Sequence, residues 1–155
     1  DLLHRENNGA HLWISQAEGR RLFFLFPPSE SERLYGWESR TPHGFDTISC
    51  ISPVDLFSAS SRQYPSLRNA RAHVAMVERG ETLLVPGGWW WYSVALEPGA
   101  SVQHRFFDRA NFRDVARDLC ATLDQRGDHT AAMFEALREE IAEDNEDWRL
   151  TVQDE

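Results

Sequence analysis

Lysine is absent from this chain, in which all 16 basic residues are arginine. Arginine keeps its charge in any surroundings and grips carboxylates with a planar fork, so work that other proteins give to a lysine ammonium group falls here to guanidinium. Cysteine is scarce. Cys50 and Cys120 stand alone, which excludes a zinc ribbon or a thioredoxin-type dithiol. They read as buried thiols, with a single disulfide left open. No apolar run reaches the roughly 20 residues of a membrane-spanning helix. A Gly-rich phosphate loop, a G-x-S-x-G elbow, internal repeats and low-complexity tracts are also missing.

Positive charge is outnumbered by 25 acidic residues, leaving a net charge of −9. A surface of that sign does not track phosphates, so neither nucleic acid nor an anionic membrane is an expected partner. Its first effect is solubility. The 155 residues suffice for one domain, and a hydrophobic fraction of 41% with six Trp and nine Phe supports a compact core. No signal peptide is legible. The chain opens at Asp1 without Met, so a true N-terminus is expected further upstream, and compartment and organelle targeting stay open.

Apolar alternation predicts mostly short strands. Residues 11–26 read as two strands around a Glu18-Gly19 turn, with Leu12, Ile14 and Gln16 on one face. Leu22 to Phe26 is continuously apolar, as in a strand covered on both faces, and Pro27-Pro28 ends it. Residues 29–72 form a long insert with one short strand near Thr47–Ile51. Further strands are predicted at His73–Val77, Thr82–Val85, Trp89–Leu96 and Ala100–Phe107, separated by turns at Gly80, Pro86-Gly87-Gly88 and Pro98-Gly99. Beyond them Phe112, Val115, Ala116, Leu119 and Leu123, then Met133, Leu137 and Ile141, fall at helical spacing. The expectation is a β-barrel over 1–107 and a helical segment over 108–155. The acidic run from Glu139 to Asp147 reads as a solvated helix face, and Trp148 as an anchor for a partner.

Three stretches carry a family resemblance. His4-Arg5-Glu6 is followed by Gly19-Arg20-Arg21 and by Leu25-Phe26-Pro27-Pro28. Gly80-Glu81-Thr82-Leu83-Leu84-Val85-Pro86-Gly87-Gly88-Trp89-Trp90 is the most specific run. Ser101-Val102-Gln103-His104-Arg105-Phe106 leads to Ala110-Asn111-Phe112. Together, over roughly residues 4 to 115, they resemble the JmjC/cupin-like 2-oxoglutarate/Fe(II) oxygenases, in particular the protein-hydroxylase branch. The resemblance implies a mainly β fold with C-terminal helices, a double-stranded β-helix or jelly-roll barrel. At least one leading strand of that barrel is expected to be missing from this chain, which would leave an open edge.

The resemblance also implies an Fe(II) ion held by two His and one carboxylate, with open positions for 2-oxoglutarate and oxygen. His4 and Glu6 fall at the first two ligand positions. The third, a His in the family, is Trp91 here, and an indole N–H is a donor with no lone pair to offer a metal. His104 on the last strand is a possible substitute ligand. Tyr92 would need a bulge to turn inward. Arg21 stands where the family anchors the distal carboxylate of 2-oxoglutarate, and Gln103 is a second cosubstrate candidate.

Two readings follow. A degenerate barrel would bind a protein partner or itself, through its C-terminal helices and open edge, and use neither Fe(II) nor 2-oxoglutarate. An active hydroxylase would use both at a rearranged site.

Overall fold

The computed structural model describes residues 2–40, 48–60 and 62–112. The helices predicted beyond residue 112, Cys120 and the acidic tail lie outside the described residues. The chain divides into two units, Asp1–Asn111 and Phe112–Glu155, and the strands lie in the first.

Among the described residues nine strands form two antiparallel sheets. They are β1 (His4–Arg5), β2 (His11–Glu18), β3 (Arg21–Phe26), β4 (Trp37–Arg40), β5 (Ile48–Ile51), β6 (His73–Val77), β7 (Thr82–Val85), β8 (Trp90–Ala95) and β9 (Ala100–Phe106). The larger sheet runs β4-β5-β1-β8-β3-β6 and the smaller β7-β2-β9. This is the sheet-rich architecture expected of a cupin or jelly roll.

The two sheets face each other across one core. Leu12, Ile14 and Val85 of the small sheet pack with Phe23, Leu25, Val77 and Trp91 of the large one. Alternation along β2 explains its half: Leu12, Ile14 and Gln16 are buried, and the residues between them are only partly covered. A second core, built of Leu3, Phe26, Leu34, Cys50 and Trp90, packs insert residues Leu34 and Cys50 with Phe26 and Trp90 of β3 and β8.

The β2–β3 connection depends on Gly19, whose φ of 73° lies in the left-handed region. A Cβ there would also run into the Pro98 carbonyl of the facing β8–β9 turn, so the two turns sit back to back.

Several expectations are corrected. Leu22 and Phe24 are only half-buried, so the face of β3 opposite Phe23 and Leu25 is closed only at Phe26. The insert contains β4 as well as β5, plus short 3₁₀ helices at Pro28–Glu30 and Pro65–Asn69. β4 (WESR) has no apolar alternation, so only its pairing with β5 makes it a strand. Among the described residues β9 has one neighbour, β2, and its other edge carries no strand.

Gly36 gives a direct test of the second core. A Cβ at this position would overlap the Trp90 ring, which is 2% exposed and holds the Ser31 hydroxyl with its indole N–H at 2.8 Å. Gly36→Ala should therefore destabilise the fold by about 1–3 kcal/mol through overpacking, read as a lower urea midpoint with an unchanged slope. An unaltered midpoint would show that the Trp90 pocket yields without cost.

Candidate functional site

β1 is short, but its register fixes the site. His4 lies directly opposite Trp91 on β8, and Arg5 opposite Trp90. Cross-strand partners share a face, so the imidazole and the indole meet with ring centroids 4.5 Å apart. The chain stays extended at Glu6 before the 3₁₀ turn Asn7–Gly9, which keeps Glu6 on the His4 side. Trp91 is 4% exposed and packs against Phe23, centroid to centroid 6.2 Å. His4, Glu6 and Trp91, the residues expected from the sequence at one site, are thus brought together.

Their polar contacts converge on Glu6. The Trp91 indole N–H donates to Glu6 Oε1 at 3.1 Å. Arg105, reaching across from β9, donates its Nε–H to Glu6 Oε2. His4 Nε2 stands 3.7 Å from Glu6 Oε1. Its Nδ1 lies 2.7 Å from the Leu2 carbonyl, which can only accept, so Nδ1 carries the hydrogen.

The Glu6 side chain is 3% exposed. Burial pushes its carboxyl upward, but the bonds and charges of His4 and Arg105 outweigh burial and hold it below the ordinary glutamate value. It is a buried carboxylate with partners on both oxygens.

Arg105 was not among the residues singled out by sequence. It sits opposite buried Leu12, on the same face of β9 as Gln103, which is opposite buried Ile14. The available signal was the two-residue spacing from Gln103, which puts both side chains on the barrel's inner face.

Arg21 lies on the inner face of β3 with Phe23 and Leu25, and its Nη1 donates to the Ser93 hydroxyl at 3.2 Å. Gln103 shares the inner face of β9 but is exposed. His104 points the other way. It pairs with Trp13 across the outer face, centroids 6.1 Å apart, and is exposed. Tyr92 is also on the outer face, opposite Phe24 and 5.9 Å from the Phe57 ring, so β8 has no bulge that would turn it inward. Among the described residues Gln16 Oε1 is buried with no hydrogen-bond partner, while its Nε2 donates to the Glu18 carbonyl.

Residues 3–114 match a family model described as a cupin-like domain. The chain belongs to the JmjC-type cupin-like family. It is 30% identical over 95 residues to HSPB1-associated protein 1 of Bos taurus, covering 61% of this chain and 19% of that protein. It is 28% identical over 90 residues to lysine-specific demethylase 8 of Xenopus tropicalis, covering 58% of this chain and 19% of that protein. A similar match, 28% over 86 residues, joins it to JmjC domain-containing histone demethylation protein 1 of Caenorhabditis elegans, with 56% and 6% covered. The chain spans about a fifth of the length of the first of these relatives. No helix among the described residues is long and apolar enough to cross a membrane.

Chemically, the arrangement offers one imidazole nitrogen, one carboxylate and two hydrogen-bond donors that converge on that carboxylate. Among the described residues no group of three or more His, Cys, Asp or Glu is placed to hold a metal ion.

Proposed function

We propose that this chain is a degenerate JmjC-type cupin domain, a binding or structural unit that performs no oxygen chemistry. The observation that carries the reading is the double engagement of Glu6 by Trp91 and Arg105. An Fe(II) site needs lone pairs aimed at one point. His4 and Glu6 could supply two donors, but the third position presents an N–H, and a guanidinium holds the carboxylate that the metal would need. The donor set does not fit Fe(II). The cationic role passes to Arg105, whose charge the buried carboxylate requires.

Two features support a partner. β9 has an unpaired edge among the described residues, and such edges are templates for another strand. The similarity to a protein named for its association with HSPB1 also favours protein binding. Contacts through the C-terminal helices remain part of this proposal.

One observation favours the alternative, an active Fe(II)/2-oxoglutarate hydroxylase. With its Nδ1–H on the Leu2 carbonyl, a neutral His4 would leave its Nε2 lone pair for a metal beside Glu6, as metal-ligating histidines do. Arg21 on the inner face would then anchor the cosubstrate.

Calorimetric titration of the protein with Co(II), an oxygen-stable stand-in for Fe(II), separates the two. The expected result is no stoichiometric binding, and no 2-oxoglutarate decarboxylation when Fe(II) is supplied. A one-to-one site lost in His4→Ala, together with turnover, would establish the hydroxylase instead.

A further inference from the structure

Away from the Glu6 site, the insert builds a second charged cavity. Glu30, Arg33, Arg68, Asn69, Ala70 and Arg71 line an open pocket of about 610 Å³. Three guanidinium groups and one carboxylate give the lining a formal charge of +2 in a chain whose net charge is −9. Glu30 is 5% exposed. Both its oxygens accept from Arg33 Nη1 at 2.8 Å, and it also takes a hydrogen bond from the Arg71 backbone N–H. That carboxylate pins one arginine and neutralises one charge. Among the described residues no other carboxylate pairs with Arg33, Arg68 or Arg71.

The pocket is held in shape before any ligand arrives. Its two walls are the segment from Pro28 to Tyr35 and the 3₁₀ helix Pro65–Asn69. The Tyr35 hydroxyl accepts the Ser66 backbone N–H at 3.0 Å, and the Tyr35 and Tyr64 rings meet edge to face at 5.1 Å. Leu34, fully buried, anchors the first wall, and its carbonyl accepts from the buried Ser52 hydroxyl at 2.6 Å. Like charges fixed together on a latched frame repel one another, and a bound anion relieves that cost.

We propose that this pocket binds a phosphomonoester. A dianion matches the surplus of two charges, and its three acceptor oxygens can take forks from separate arginines, whereas a carboxylate offers two coplanar oxygens. Loops of a rigid sheet scaffold are common places for such sites. The phosphate group comes either from a small molecule or from a phosphorylated side chain.

The test is isothermal titration of the whole chain with inorganic phosphate, O-phosphoserine and a short phosphoserine-centred peptide, with succinate and the unphosphorylated peptide as controls. Arg68→Gln combined with Arg71→Gln removes two charges but leaves the Glu30–Arg33 pair and the Arg71 backbone bond in place, so the fold should survive, as a thermal melt will show. The phosphorylated probes should bind and the double variant should weaken them by about tenfold or more. Affinity should also fall as pH drops through about 6, where phosphate loses its second charge. Equal affinity for phosphoserine and peptide assigns the site to small phosphomonoesters; much tighter peptide binding assigns it to a phosphorylated partner. No binding by any phosphorylated probe, equal binding of succinate, or affinity unchanged in the folded double variant would overturn the proposal.

Discussion

Trp91→Ala should lower the unfolding free energy by about 3–5 kcal/mol, the range for deleting a large aromatic from a core. Trp91 is 4% exposed, belongs to the core between the two sheets, and touches the His4 and Phe23 rings. Removing it opens a cavity where both sheets meet, which neighbours on paired strands cannot close without losing register. The substitution also takes the indole N–H from Glu6 Oε1, leaving that oxygen with His4 at 3.7 Å. The comparison is Trp37→Ala, at a residue 49% exposed on β4, which should cost no more than about 1 kcal/mol. Urea denaturation followed by far-ultraviolet circular dichroism reads both without relying on tryptophan emission. Near-equal losses in the two variants would mean that Trp91 is a passive occupant of a loosely packed site and that the core between the two sheets does not depend on it.

What could be read from the chain without its structure follows the range of the forces involved. β2, β3, β6 and β7 are marked by period-two apolar alternation or continuous apolar runs, and by turn residues next to them; these are local signals. That His4, Glu6 and Trp91 would lie together was expected from their resemblance to one motif, and the register of β1 against β8 brings them into contact. β4 was not legible, because Trp37-Glu38-Ser39-Arg40 becomes a strand only by pairing with β5. Arg105 was missed for a related reason. Its partner Glu6 is 99 residues away, and the two-residue spacing from Gln103 puts the two on one face without saying that this face is the inner one until β9 is set against Leu12 and Ile14. His104, attractive by residue type, faces outward by that same register.

Arg105→Ala should destabilise the protein at neutral pH by about 2 kcal/mol, the scale of a hydrogen bond to a charged group, moderated because the Arg105 side chain is half exposed. Its dependence on pH is the sharper signature. In the native protein the Glu6 carboxyl is held below its unfolded value of roughly 4.3. Its contribution to stability is therefore present above that pH and lost as pH falls through the folded value. Without Arg105, burial becomes the dominant influence and pushes the carboxyl upward. The sign then reverses: protonated Glu6 is the favoured buried form, and stability is lost as pH rises through the new, higher value. The gap between native and variant should be widest near pH 7 and should narrow steadily towards pH 4, as measured by urea midpoints across that range. Glu6→Gln should flatten both curves, because an amide carries no charge for Arg105 to balance. A gap that stays constant with pH would mean that the guanidinium acts only by packing its methylene stem, and the picture of an arginine standing in for a metal's charge would have to be abandoned.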